Sequence, residues 1–276
     1  MLDLPNMSHK MEYSSLAGAR ILVAGASAGI GREFATGAIR AGARVVLAAR
    51  RREQLEKLRA EAGGGIPVPV DLTSDADCAR LAETIGAELG GLDAVLSCVG
   101  AAPLKMVAAT GDDEWRRLFE TNVLSVARLL RCALPLLDRS AMVLALSSES
   151  VHQPRLGLGA YSTSKAALER MIEAWRVEHP RLRFTNVVVG ATFPTDFGND
   201  FDGDMLGRAL TDWIARGLAQ EEFMSPPDVA GVLLGLVASG LGTPGVCVEQ
   251  LTLRSPSPVV GADGLPISPD SSDPAQ

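Results

Sequence analysis

A chain of 276 residues, 47% hydrophobic and 21% charged, can bury a sizeable core as one large α/β domain or two small ones. Its net charge of -7 and arginines scattered but for one cluster argue against nucleic acid as the main partner, and Cys78, Cys98, Cys132 and Cys247, with no C-x-x-C pair and no histidine at metal-ligand spacing, read as core or half-buried thiols of a reducing compartment. No apolar run reaches the roughly 18 residues of a membrane span, and the polar start lacks a signal-type apolar segment, so a cytoplasmic chain with no membrane contact is expected.

Residues 1–17 read as a disordered polar lead-in. The run Ala19 to Ala24 fits a buried strand, and Gly25-Ala26-Ser27-Ala28-Gly29-Ile30-Gly31 follows it, leading into a helix from Arg32 to Ala41. In a strand–turn–helix context such glycines have distinct uses. Gly25 permits the tight turn, Gly29 lets the backbone approach a pyrophosphate, and Gly31 lets the helix close on its strand, with helix-start amides facing the phosphate charge. The strand Arg44 to Ala49 then ends in Arg50-Arg51-Arg52. A site for the unphosphorylated dinucleotide usually places an acid here for the ribose hydroxyls. Ala49 occupies that place, and a guanidinium pairs with a 2′-phosphate at two points, so the sequence points to NADP in preference to NAD. The competing reading, a solvated first turn of the helix Glu53 to Ala62, sets three cations against the positive end of the helix dipole.

After the break Gly63-Gly64-Gly65 come a strand, Ile66 to Val70, and then Asp71-Leu72. The Asp71 carboxylate suits either an adenine amino group or a turn ahead of the next helix, Ala76 to Leu89. A strand from Leu92 to Ser97 runs into Cys98-Val99-Gly100. A long helix is predicted from Asp113 to Leu137, with Asn122 among apolar neighbours, where a poor helix former implies an amide with a partner. The strand Ala141 to Leu146 ends in Ser147-Ser148, a loop covers Glu149 to Ala160, and Tyr161 opens a helix, Ser162 to Val177. Tyr161 and Lys165, four apart, share a face. A free phenol titrates near pH 10, so a neighbouring ammonium would make Tyr161 usable as an acid or base.

The strand Arg183 to Val189 ends at Gly190. Residues 191–224 form an irregular excursion with a helix from Met205 to Gln220, placed where a substrate lid belongs. A helix from Val229 to Ser239 and a strand from Val246 to Leu253 complete the fold, and 255–276 reads as a disordered tail. Strict alternation of strands and helices demands a single-domain, doubly wound parallel sheet of seven strands with helices on both faces, spanning 18–254. Every candidate residue lies at or just past a strand's carboxyl end, where such sheets bind ligands.

These motifs, in this order, resemble the short-chain dehydrogenase/reductase family over about residues 18 to 255. Gly25, Gly29 and Gly31 match its glycine turn, Asn122 its helix asparagine, Ser148 its serine, and Tyr161 with Lys165 its Y-x-x-x-K pair. Arg50 stands where NADP-preferring members carry a basic residue. The resemblance implies cofactor contacts from Gly25, Ser27, Gly29, Ile30, Arg50, Arg51, Asp71, Leu72, Gly100, Tyr161, Lys165, Gly190 and Thr192. It implies catalysis by Ser148, which hydrogen-bonds the substrate oxygen, and by Tyr161, which exchanges the proton. Lys165 would lower the tyrosine's pKa and hold the nicotinamide ribose, and Asn122 would position a water linking Lys165 to solvent. No metal is required. The implied activity is hydride transfer between NADP(H) and a small-molecule carbonyl or secondary alcohol, in a homodimer or homotetramer joined through the helices 113–137 and 162–177. Ala24, the segment Ser97-Cys98-Val99-Gly100, the pair Val189-Gly190 and the position of Thr195 depart from the family pattern and give footing to a non-catalytic redox sensor or scaffold. A methyltransferase-like domain shares the glycine turn but gives no reason for Ser148, Tyr161 and Lys165 together. His152, Phe193, Phe197, Phe201 and Trp213 either line the substrate pocket or serve ordinary packing.

Overall fold

A computed structural model describes residues 16–199 and 201–261. Its short apolar runs become seven strands: β1 Arg20–Ala24, β2 Arg44–Ala49, β3 Ile66–Pro69, β4 Leu92–Ser97, β5 Leu137–Ser148, β6 Arg183–Val189 and β7 Gln250–Leu253. All pair in parallel, in the order β3-β2-β1-β4-β5-β6-β7. The order reverses between β1 and β4, and there the two neighbouring connections leave in opposite directions and open a crevice beyond the strands' carboxyl ends. The expected doubly wound seven-stranded sheet is therefore the architecture found.

The helices between strands are α1 Gly29–Arg40, α2 Arg52–Ala62, α3 Asp75–Leu89, α4 Asp112–Phe119, α5 Ser125–Ala133, α6 Gly159–Glu178, α7 Gly203–Ala215 and α8 Pro226–Gly242. Side chains alternate across each strand, so β1 sends Ile21 and Val23 to one face and Leu22 and Ala24 to the other. On the first face Phe34 of α1, Leu55 and Leu58 of α2, and Leu233 and Val237 of α8 close over the sheet. On the second, Leu81 and Ile85 of α3, Leu129 of α5, and Leu168 and Ile172 of α6 do the same. At roughly 1.5–3 kcal/mol for each fully buried Leu, Ile or Phe, these two layers drive the fold. Gly37 lets α1 and α8 touch, since a Cβ there would fall 2.4 Å from Leu234 Cδ1.

Several boundaries differ from expectation. Helix α1 starts at Gly29 rather than Arg32, because weakly helix-forming glycines open it. The long helix expected from Asp113 to Leu137 is interrupted by a single π-helical turn, Glu120–Leu124, and ends at Pro135 in a short 3-10 turn. Strand β5 consequently begins at Leu137, ahead of the expected Ala141, and its register with β4 shifts between Leu92 and Ala94. Strand β7 keeps only Gln250–Leu253 of the expected run.

The polar lead-in lies outside the described residues except for Leu16 and Ala17. Leu16 is buried against the first core layer and accepts a hydrogen bond from Ala19. The expected disordered tail is corrected over its first residues. Ser255 is buried, Val259 bridges Gln220 and the Val260 amide donates to Ala219, so 255–261 packs on the excursion; the remainder lies outside the described residues.

Candidate active site

The glycine turn between β1 and α1 is tight for reasons of backbone contact. Gly25 has φ +84° and Gly29 φ +52°, conformations that suit glycine. A Cβ at Gly31 would lie 2.5 Å from the Gly25 carbonyl oxygen, and one at Gly25 would lie 3.1 Å from the Cys98 carbonyl. Ala28 caps α1 without a side-chain hydrogen bond, and no acid stands in its first turn. The turn, with Ser27 and Ile30 in it, is thus a close-packed cradle presenting amides to an anion.

Arg51 closes the outer rim. Its guanidinium donates to Ser27 Oγ at 3.0 and 3.2 Å and pairs with Asp196 at 2.9 Å. Arg50 is exposed and its charge acts on Asp71. Asp71 makes the turn: its Oδ1 accepts from the Thr73 amide at 2.9 Å and hydroxyl at 2.8 Å, and these bonds hold the carboxyl below its usual range. Ser74 is the N-cap of α3. The Leu72 side chain is buried in the second core layer.

Helix α6 starts at Gly159, ahead of the expected Ser162, and Ala160, Tyr161, Ser164, Lys165, Leu168, Glu169 and Ile172 form one buried stripe along it. Burial pushes the Tyr161 phenol up to about 12, and the Ser148 hydroxyl at the end of β5 offsets part of that rise. Ser148 Oγ also lies 3.0 Å from Ser150 Oγ and accepts from the Ser150 amide. Burial brings the Lys165 ammonium down to about 8. Lys165 Nζ donates to the Leu146 carbonyl at 2.9 Å and the Val99 carbonyl at 3.1 Å. Two of the three ammonium hydrogens are thus engaged by backbone carbonyls at the cleft wall.

Asn122 sits in the π turn, fully buried. Its Oδ1 accepts from the Ala101 amide at 2.8 Å, while its Nδ2 donates to the Ala101 carbonyl at 2.9 Å and to Ser164 Oγ at 2.8 Å. That two-point clamp fixes the segment after β4. Gly100 leaves room for the ammonium, since a Cβ there would sit 3.1 Å from Lys165 Nζ. The segment Ser97-Cys98-Val99-Gly100 therefore meets Lys165 through the Val99 carbonyl, and Ala101, the next residue, is the one that Asn122 holds. Burial pushes the Cys98 thiol up to about 12. Past β6, the Gly190 amide donates to Leu253 at 2.8 Å and the Thr192 hydroxyl to the Gly190 carbonyl at 3.0 Å.

The excursion after β6 leaves and returns at one point, where Met224 donates to Ala191 and accepts from Phe193. Between these ends Phe197 packs edge-on to Tyr161 with centroids 5.2 Å apart, and Phe201 meets Phe197 at 5.5 Å. Thr195 lies over Gly29. Trp213 shares an apolar cluster with Tyr161, Leu104 and Leu158, and its Nε1 donates to the Leu156 carbonyl at 3.1 Å. Phe193 is exposed and meets Phe223; His152 turns to Glu169, 3.3 Å away.

Sequence reasoning missed two buried acids. Glu149 is held by Arg155 and, at 3.2 Å, by Arg254, and Arg155 in turn donates to Leu218, tying the loop after β5 to the excursion. Glu169 accepts from the Ser147 hydroxyl. Their signal was position: one follows Ser148 directly, the other lies one helical turn beyond Lys165. Among the described residues no cluster of His, Cys, Asp and Glu could hold a metal ion, and no helix is long and apolar enough to cross a membrane.

A family model described as short chain dehydrogenase matches residues 19–204. The chain is 34% identical over 199 residues to a glycine betaine reductase of Emericella nidulans, covering 69% of this chain but only 16% of that protein. It is 31% identical over 180 residues to an uncharacterised oxidoreductase of Listeria innocua, covering 63% of this chain and 72% of the other. In fold it is similar to an alcohol dehydrogenase from Thermococcus sibiricus solved with 5-hydroxy-NADP, with a TM-score of 0.73, 24% identity, and coverage of 86% of this chain and 97% of that one.

Proposed function

Because the chain belongs to the short-chain dehydrogenase family, NAD(P)-dependent oxidoreductases of Rossmann-like fold, we propose that it transfers a hydride between NADP(H) and a carbonyl or secondary alcohol. The observation that carries the reading is the convergence of Ser148, Tyr161 and Lys165 beside the cradle of Gly25, Gly29 and Gly31. The donor set fits a dinucleotide: an anion-facing helix start, small residues where a backbone approach is needed, and Arg51 with Ser27 at the outer rim for a 2′-phosphate. The bound dinucleotide supplies or accepts the hydride.

This chain's own groups handle the oxygen and the proton. Ser148 donates to the substrate oxygen, a bond worth most as negative charge develops there. A phenol held near 12 arrives protonated at neutral pH, the state that reduction requires of Tyr161. Lys165 is held at the cleft wall by two carbonyls, and Asn122 holds the segment that supplies one edge of that wall. The domain spans 18–254 with 191–224 as the lid; the pinned ends at Ala191 and Met224 support those bounds. We place the protein in the cytoplasm as a homodimer or homotetramer, with α4, α5 and α6 as contact elements.

The test is hydride transfer from NADPH and NADH to a panel of ketones and aldehydes. Oxidation of NADPH that disappears in Ser148→Ala supports the reading. NADPH binding without turnover on any carbonyl would favour the sensor or scaffold, for which Ala24, the Ser97 to Gly100 segment, Val189-Gly190 and the position of Thr195 are the footing.

A further inference from the structure

We propose that Glu169 is the counter-charge of Lys165, a positioning residue that keeps this lysine an ammonium inside the wall of the cleft. The argument is one of charge balance in the core. Among the described residues the buried ionic side chains are Glu149, Arg155, Lys165, Glu169 and Arg183. Glu149 is matched by Arg155 and Arg254. Arg183 lies at the amino end of β6 and donates to the carbonyls of Ser140, Gly240 and Thr243. That leaves Lys165, 3% exposed, and Glu169, 8% exposed. They stand four residues apart on the buried stripe of α6, the spacing at which opposite charges on a helix attract.

The groups around Lys165 offer no other negative charge. The Leu146 and Val99 carbonyls take two of its three hydrogens but are neutral. From the end of β4, Cys98 faces it as a thiol pushed up to about 12; one turn earlier on α6, Tyr161 is a phenol pushed up as far. Asn122 and Ser164 are neutral. Around Glu169, β5 supplies the Ser147 hydroxyl and the turn after β5 supplies half-exposed His152, while the Asn186 amide of β6 binds only its backbone carbonyl. No Lys or Arg among the described residues forms an ion pair with its carboxylate. A buried ammonium without a counter-charge tends to shed its proton, and Glu169 acts on Lys165 in the sense that opposes this. The pairing deepens the catalytic reading above and rests on it only for what Lys165 does in turnover.

The chain has four lysines, Lys10, Lys57, Lys105 and Lys165, so lysine labelled with carbon-13 at Cε gives a spectrum that the Lys165→Met variant assigns by subtraction. The measurement uses the full chain without cofactor or substrate, so its outcome is independent of whether the hydride-transfer reading holds. In Glu169→Gln the Lys165 midpoint should fall by about one pH unit or more, while Glu169→Asp retains part of the wild-type value. Reciprocally, with labelled glutamate, the Glu169 carboxyl in Lys165→Met should take up its proton at a higher pH than in the wild type. An unmoved Lys165 midpoint in folded Glu169→Gln overturns the pairing. Should that variant not fold, an unmoved Glu169 carboxyl in Lys165→Met overturns it equally.

Discussion

Arg51 and Asp196 hold each other at 2.9 Å across the rim of the cleft, joining the end of β2 to the excursion that carries Phe197. The same guanidinium lies on Ser27 of the glycine turn, so one side chain reads both walls. An exposed pair of this kind is worth at most about 1 kcal/mol, which a dinucleotide phosphate can displace.

Replacing Arg51 should therefore separate the two cofactors. Charge-assisted bonds to a phosphate are worth about 1.5–3 kcal/mol, so Arg51→Gln should weaken NADPH binding roughly tenfold to a hundredfold and leave NADH nearly unchanged. Asp196→Asn should tighten NADPH by no more than about fivefold, and only while Arg51 is present. Fluorescence titration with each cofactor measures all three; equal losses for NADPH and NADH in Arg51→Gln would remove the 2′-phosphate assignment.

Tyr161→Phe keeps the ring that Phe197 packs against and removes only the hydroxyl. Loss of a positioned general acid costs on the order of 10²–10⁴ in rate, so turnover should fall by at least that much while NADPH affinity stays within a few-fold. Near-normal turnover would show that another group delivers the proton.

Asn122 is a structural clamp as well as a candidate catalytic residue. Truncation in Asn122→Ala removes both bonds to the backbone of exposed Ala101 and the one to buried Ser164, at a cost on the order of 1–3 kcal/mol. Urea unfolding should show that loss even without cofactor. A change below about 0.5 kcal/mol would mean the segment finds other partners.

Lys165 makes stability depend on pH in a defined window. Its ammonium is lowered to about 8 in the folded chain, against about 10.4 when unfolded, so between these values the unfolded state holds more protons. The lysine's contribution is therefore fully present above about pH 10 and is lost as pH falls through about 8. Cys98 and Tyr161, both raised by burial, act in the opposite sense and lose their contributions as pH rises toward about 12. The difference between wild type and Lys165→Met in urea isolates the lysine. That difference should shift in favour of the wild type as pH rises from about 8 to 10, and a flat difference would contradict the burial of the ammonium.

Much of this was legible in the chain because it is local. Apolar runs of strand length, glycines at the first turn, and Tyr161 and Lys165 one helical turn apart each follow from contacts within a few residues. The π turn at Asn122 was not legible, since it exists to bring one amide onto the Ala101 backbone 21 residues away. Nor could the turn role of Asp71 be told from an adenine role, because an aspartate serves both with the same atoms.

By itself, the sequence determined the alternation of elements, hence the parallel sheet, and the residue types that gather beyond its carboxyl ends. Hydrophobic period and backbone freedom act along the chain, and they are written in its order. Tertiary structure alone decided the partner of each charge: Lys165 with the Leu146 and Val99 carbonyls, Arg51 with Asp196, Glu149 with Arg155 and Arg254. Those choices depend on burial and on partners distant in sequence, and desolvation is a property of the folded interior that no stretch of residues carries alone.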